Sequence, residues 1–152
     1  MPQDELAAWL RLLLTPGVGN QTARRLLALC GLPQHIFGQP AVWQGHVNAA
    51  QATALRREPA DLPALVQATW QWLHSPAGDG VARRILTLAD SAYPRALLAT
   101  DDPPLLLHAM GMAEVLAQDQ PFAALRCVAM VGSRTPTAQG LQHAHQFHDL
   151  RL

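Results

Sequence analysis

The residues best suited to chemistry in this sequence lie in Gly132-Ser133-Arg134-Thr135-Pro136-Thr137. The apolar run Cys127–Val131 precedes them and reads as a buried strand bounded by a turn. Gly132 lets a ligand approach the backbone closely. Ser133 offers a hydroxyl, and Arg134 a planar guanidinium whose paired donors suit phosphate oxygens. Pro136 fits a first helical turn, and Thr137 can donate or cap there. This is the layout of an anion site at the carboxyl end of a strand, the usual ligand edge of an α/β sheet. The plainer alternative is a strand-to-helix turn with a surface arginine. Neither a Gly-x-Gly-x-x-Gly turn nor a Walker loop is present, so dinucleotide or nucleoside-triphosphate chemistry is not indicated and no cofactor is expected.

A second candidate is Leu14-Thr15-Pro16-Gly17-Val18-Gly19, with Ala23 and Leu26 following. The pattern resembles a helix-hairpin-helix. Gly17 and Gly19 permit a tight turn with exposed N–H groups at the start of a helix, where the dipole favours an anion. Val18 should plug the hairpin into the core. Such a hairpin can hold a DNA phosphate without reading sequence, and Arg24 and Arg25 are the nearby cations, with Arg24 taken as the candidate contact. The competing reading, slightly favoured, is a hairpin that only joins two antiparallel helices.

Charge narrows the field. The 152 residues carry 11 basic side chains, all arginine, against 11 acidic ones, and neither half is basic. A broad basic footprint is therefore absent, and any nucleic-acid contact must be local. Cys30 and Cys127 have neither metal spacing nor a disulfide framework around them. The start, MPQDELAAWL, lacks a basic signal-peptide region, and no apolar run approaches a membrane span. The expected setting is the cytoplasm.

The elements that position these residues divide into two kinds. Residues 4–74 read as helices. Asp4 can cap the first, with Leu6, Trp9, Leu10 and Leu13 forming its stripe; Asn20 can cap the second, with Ala23, Leu26, Leu27 and Cys30 inward and Gly31 ending it. A helical turn near Pro33–Phe37, a helix over Ala49–Arg57 and another from Asp61 to His74 follow. Ser75–Gly80 is dense in turn formers and reads as a linker, taken to span residues 75–83. Beyond it come apolar runs at Ile85–Leu88, Leu105–His108 and Cys127–Val131, a helical turn at Ala113–Ala117, and a last helix from Thr137 with Leu141, Ala144 and Leu150 on one side. The prolines keep Asp101-Asp102-Pro103-Pro104 out of any helix. The expected fold class is thus α + α/β: a helical, helix-hairpin-helix (SAM-like) domain over residues 1–74, then the first part of a Rossmann-like domain over residues 84–152.

Other groups invite chemistry but lack partners. His143, His145 and His148 are close in sequence, yet only the last two share a helix face and no motif completes a ligand set, so no metal is expected. Asp101 and Asp102 are adjacent and point apart, which favours a turn. Both cysteines lie on apolar stretches with no cation in sequence to activate them. Trp9, Trp43, Trp70 and Trp72 are taken as packing residues before base-stacking ones.

Taken in order, Tyr93-Pro94-Arg95-Ala96-Leu97-Leu98, Asp102-Pro103-Pro104-Leu105-Leu106-Leu107, Gly111, Val128–Arg134 and Gly140 resemble the DprA (Smf) family of DNA-processing proteins. The likeness runs from about Leu6 to Gly140, including the hairpin region. It implies a non-enzymatic protein that binds incoming single-stranded DNA during natural transformation, helps load the RecA recombinase and works as a homodimer. It also implies that Gly132, Ser133 and Arg134 form the phosphate-gripping turn and that Thr137 occupies the Ser/Thr position near the helix start. Gln139 departs from the aromatic residue common before the glycine. The family continues with a second glycine-rich turn that this sequence lacks. The expectation is therefore a fragment whose C-terminal half is poorly stable and whose RecA and dimer contacts are largely lost. Two rivals remain: a Rossmann-like nucleotide-processing enzyme of the phosphoribohydrolase type, and a helical protein-interaction module.

Overall fold

The computed structural model describes residues 1–123 and 135–149. The expected strand Cys127–Val131 and the turn Gly132-Ser133-Arg134 lie outside the described residues, as does Leu150.

Six helices come first: α1 (Gln3–Leu14), α2 (Asn20–Cys30), α3 (Pro33–Gly38), α4 (Pro40–Trp43), α5 (Ala49–Arg56) and α6 (Leu62–His74). Then follow β1 (Val81–Thr87), α7 (Arg95–Leu98), β2 (Leu106–Met112), α8 (Ala113–Leu116) and α9 (Ala138–Asp149). The coarse division into a helical part and a mixed part matches the sequence reading. The two strands pair antiparallel, with Val81 opposite Met112 and Thr87 opposite Leu106.

Helix α1 is clasped from two sides. Trp9 and Leu12 join Ala23, Leu26, Ile36, Trp43 and Leu55 of the following helices. Leu6 and Leu10 instead meet Leu62 of α6 and Ile85 of β1. The buried arc is therefore wider than the single stripe expected. Leu12 is fully buried, whereas Leu13 is 40% exposed. Each such side chain contributes about 1.5–3 kcal/mol of burial. Leu105, just before β2, enters the same cluster as Trp9 and Trp43, so the strand region and the helices share one apolar interior.

Helix ends depart from the sequence reading in two places. Asp4 does not cap α1. Pro2 holds the N-cap position, and Asp4 stands with Glu5 in the first turn, where acids complement the dipole. Gly19, not Asn20, caps α2. The end of α2 is as expected, and α5 begins on a cap the sequence reading did not name. Gly31 takes φ 83° and donates its N–H to Leu27 O at the end of α2. Asn48 and Gln51 make a reciprocal capping box on α5.

Strand β1 begins at Val81, four residues before the apolar run suggested and inside the stretch read as linker. Its first half was masked by Arg83 and Arg84. Both are half-buried through their apolar stems and donate to backbone carbonyls, Arg83 Nη1 to Trp72 O at 2.8 Å and Arg84 Nη1 to Leu116 O at 3.0 Å.

Candidate nucleic-acid interface

The α1–α2 hairpin is built from local rules. Thr15 is buried and its hydroxyl donates to Arg11 O at 2.7 Å, closing α1. Val18 N–H donates to Thr15 O at 3.2 Å. Gly17 takes φ 75°, a conformation that penalises any side chain. Val18 is 6% exposed and packs in the core, as its plugging role requires. Gln51 Nε2 of α5 donates to Gly17 O at 2.8 Å and fixes the turn from outside. No side chain caps α2 at Gly19. The hairpin is thus a rigid turn leading into a helix start without a side-chain cap.

Arg24 does not stand open beside that helix start. Its Nη1 lies 2.9 Å from Asp102 Oδ1 and also donates to Pro103 O at 3.3 Å. Its Nη2 donates to Asp101 O at 3.1 Å. Asn20 Nδ2 donates to Asp102 Oδ2 at 3.1 Å. Asn20 is already the first residue of α2, one position past the N-cap, and its amide donates across to the carboxylate. The Asp101-Asp102 pair, read as a turn, is that turn and also the anchor holding it to α2.

The two sequence segments most distinctive of the mixed part are joined directly. Tyr93 is buried, and its hydroxyl donates to Pro104 O at 2.8 Å. Burial raises the Tyr93 pKa above its ordinary value, and the Arg24 charge lowers it by a smaller amount, so the phenol stays a donor. Asp90 closes the preceding turn, its Oδ2 accepting from Thr87 N–H at 2.7 Å and Thr87 Oγ1 at 2.8 Å.

Of the phosphate-turn residues, Thr137 is described. Its Oγ1 accepts from Gly140 N–H at 3.1 Å, and its carbonyl accepts from Leu141 N–H at 3.0 Å. It therefore caps α9, and its own O–H remains a donor for a ligand oxygen. A Cβ added at Gly140 would stand 3.2 Å from Thr137 Oγ1, so the glycine gives the cap its room. Gly132, Ser133 and Arg134 lie outside the described residues, so their placement relative to Thr137 is not part of this geometry. Leu141 and Ala144, expected on one side of the last helix, are both exposed, Leu141 at 50%.

Arginines serve the chain itself more than sequence reading suggested. Arg11 Nη2 donates to Leu55 O at 3.2 Å with its guanidinium 4.1 Å from the Phe37 ring centroid. Arg25 Nη2 donates to His46 O at 2.9 Å. With Arg24, Arg83 and Arg84, five of the described arginines bond backbone carbonyls of this chain. Arg56 lies over Trp43 at 5.6 Å. Arg57 and Arg95 make no hydrogen bond or ion pair among the described residues and are exposed. In the sequence Arg95 follows Tyr93-Pro94 directly, and that position is the available signal.

The remaining candidates are packing groups. Trp9 and Trp43 are 1% exposed, and Trp43 Nε1 donates to Ile36 O at 2.6 Å. Trp70 and Trp72 are half-buried against His74 and His108. Burial raises the Cys30 pKa, which keeps the thiol protonated. Among the described residues, no three His, Cys, Asp or Glu side chains gather as a metal site, and no helix is long and apolar enough to cross a membrane.

Comparison with known proteins agrees with the ordered motifs. No curated protein and no solved structure was found to match the chain. The family model described as DNA recombination-mediator protein A matches residues 84–150, a segment that contains Tyr93-Pro94, Asp102-Pro103-Pro104 and Gly132-Ser133-Arg134. Residues 84–150 are thus similar to the DNA recombination-mediator protein A family.

Proposed function

We propose that this chain is a DNA-processing protein of recombination that binds incoming single-stranded DNA by its backbone, as in natural transformation. The observation that carries this reading is the family match over residues 84–150, because it encloses Gly132-Ser133-Arg134, the one Gly-Ser-Arg run in the sequence. In this reading Gly132 and Ser133 N–H groups, the Arg134 guanidinium and the Thr137 hydroxyl hold phosphates without base specificity. The capping geometry of Thr137 supports its part, since its O–H is left to donate toward a ligand at a helix start.

The finer assignments belong to the same proposal. The segment from residue 84 is the first part of a Rossmann-like domain, and the α1–α2 hairpin is a helix-hairpin-helix whose Gly17 and Gly19 add a phosphate contact. Arg24 contributes there by fixing Asp102 against α2. The protein acts in the cytoplasm, without catalysis or cofactor, and homodimer formation and RecA loading are the partner roles that go with this reading.

Fluorescence anisotropy with labelled oligonucleotides tests the reading. Arg134→Ala should weaken binding of every sequence alike and reduce the slope of log affinity against log salt by about one. An unchanged affinity at low salt would overturn it.

A further inference from the structure

Beside Tyr93-Pro94 lies a cleft of about 450 Å³, within the size range of small-molecule sites. Ser91, Tyr93, Arg95, Gln120 and Phe122 line it with several alanines. Its chemistry is selective in three respects. Arg95 is an exposed cation with no partner among the described residues, where most of the other described arginines bond carbonyls of this chain. No carboxylate lines the cleft among the described residues, and the nearby Asp90 is tied to Thr87. Phe122 is half-buried, so part of an aromatic ring remains accessible on the wall. The floor is fixed because the Tyr93 hydroxyl is held by Pro104 O at 2.8 Å.

We infer that this cleft is a nucleotide subsite, where Phe122 stacks a base of a single strand and Arg95 holds the adjoining phosphate. The inference rests on the single-strand reading above and adds to it a second grip, separate in sequence from Gly132-Ser133-Arg134. Ser91 and Gln120 supply polar groups at the rim that any base edge can meet, so the subsite is sequence-tolerant. A base stacks on any aromatic face, and a guanidinium binds any phosphate, which is the combination that single-strand binders use.

Binding of the full chain to labelled oligo(dT) and to an abasic strand of equal length tests this. Arg95→Ala should weaken both strands several-fold and lower the salt slope. Phe122→Leu, chosen to preserve the apolar packing, should weaken oligo(dT) by roughly five-fold or more while leaving the abasic strand unchanged. Circular dichroism of each variant checks that the fold is kept, and Phe122→Tyr should restore oligo(dT) binding. If Arg134→Ala weakens binding but Arg95→Ala and Phe122→Leu do not, the subsite is overturned and the single-strand reading stands. If the unaltered chain binds neither strand, or none of the variants matters, both are overturned.

Discussion

Arg24 and Asp102 meet at 2.9 Å across 78 positions of sequence, joining the hairpin helix α2 to the turn that leads into β2. Their strengths differ. Asp102 is mostly exposed, with 62% of its side chain accessible, so the ion pair itself is screened. Arg24 also serves the carbonyls of Asp101 and Pro103. In urea unfolding, Asp102→Ala should cost under about 1 kcal/mol. Arg24→Ala should cost more, about 1–3 kcal/mol, because acceptors lose their donor. Equal losses from the two variants would show that the ion pair, not the carbonyl bonds, holds the junction.

Leu105 sits in the cluster formed by Trp9, Leu12 and Trp43. Leu105→Ala should destabilise the protein by about 2–5 kcal/mol, as Leu12→Ala should. All four tryptophans lie in residues 1–74, so tryptophan fluorescence reports the helical part. Both substitutions should move that one transition. A fluorescence midpoint insensitive to Leu105→Ala would mean that the helices melt independently of the strands.

The hairpin glycines should respond in opposite ways. Gly17→Ala forces a side chain into φ 75° and should cost about 1 kcal/mol or more. Gly19 has extended backbone and an added Cβ there meets nothing within 4 Å. Gly19→Asp should therefore stabilise α2 by several tenths of a kcal/mol through capping and the dipole. It should also weaken oligonucleotide binding if the hairpin contacts phosphate. A stabilised variant with undiminished affinity would show that the hairpin only joins helices.

His108 is exposed but packs edge-on against Trp72, ring centroids 4.9 Å apart, and this partial burial lowers its pKa from the ordinary 6.5. The neutral ring is favoured in the folded state, so the unfolded chain binds the proton first as pH falls. Stability from this group is full above about pH 6.5 and is lost progressively as pH drops through the folded value. His108→Gln should flatten that part of the stability profile. A profile identical to that of the unaltered chain between pH 7 and 5 would contradict this account.

Thr137→Ala removes the cap of α9 and should cost that helix about 0.5–2 kcal/mol. Amide exchange at Gly140 and Leu141 is the direct readout, because those N–H groups bond Thr137. Gly140→Ala should speed the same exchange by crowding the cap. Protection unchanged in both variants would remove Thr137 from the capping role.

What was legible in the sequence was local. Val18 as plug, Gly31 as helix stop and the ordered prolines as turn all follow from the conformations those residue types adopt. The misses came from distant partners. The helix α2 takes Asn20 as its first residue, and that side chain reaches Asp102 instead; Leu12 rather than Leu13 is buried because α1 is covered on two sides. The start of β1 was hidden because Arg83 and Arg84 look solvent-bound until Trp72 O and Leu116 O are placed beside them. For the candidate site, order of motifs pointed to the family, while the free Arg95 emerged only once the bonds of the other arginines were known.

Tyr93 and Pro104 have a further consequence for how the chain tolerates being cut. Their hydrogen bond brings together the two ends of a segment in which Arg95, Ala96, Leu98, Ala99, Thr100, Asp101 and Asp102 are all exposed. Arg24 holds the far end of the same segment independently. A protease that nicks between Ala99 and Thr100 would therefore leave both new ends docked, and the two pieces should travel together until denatured. The same property makes this loop a natural place to open the chain for new termini or to insert a tag.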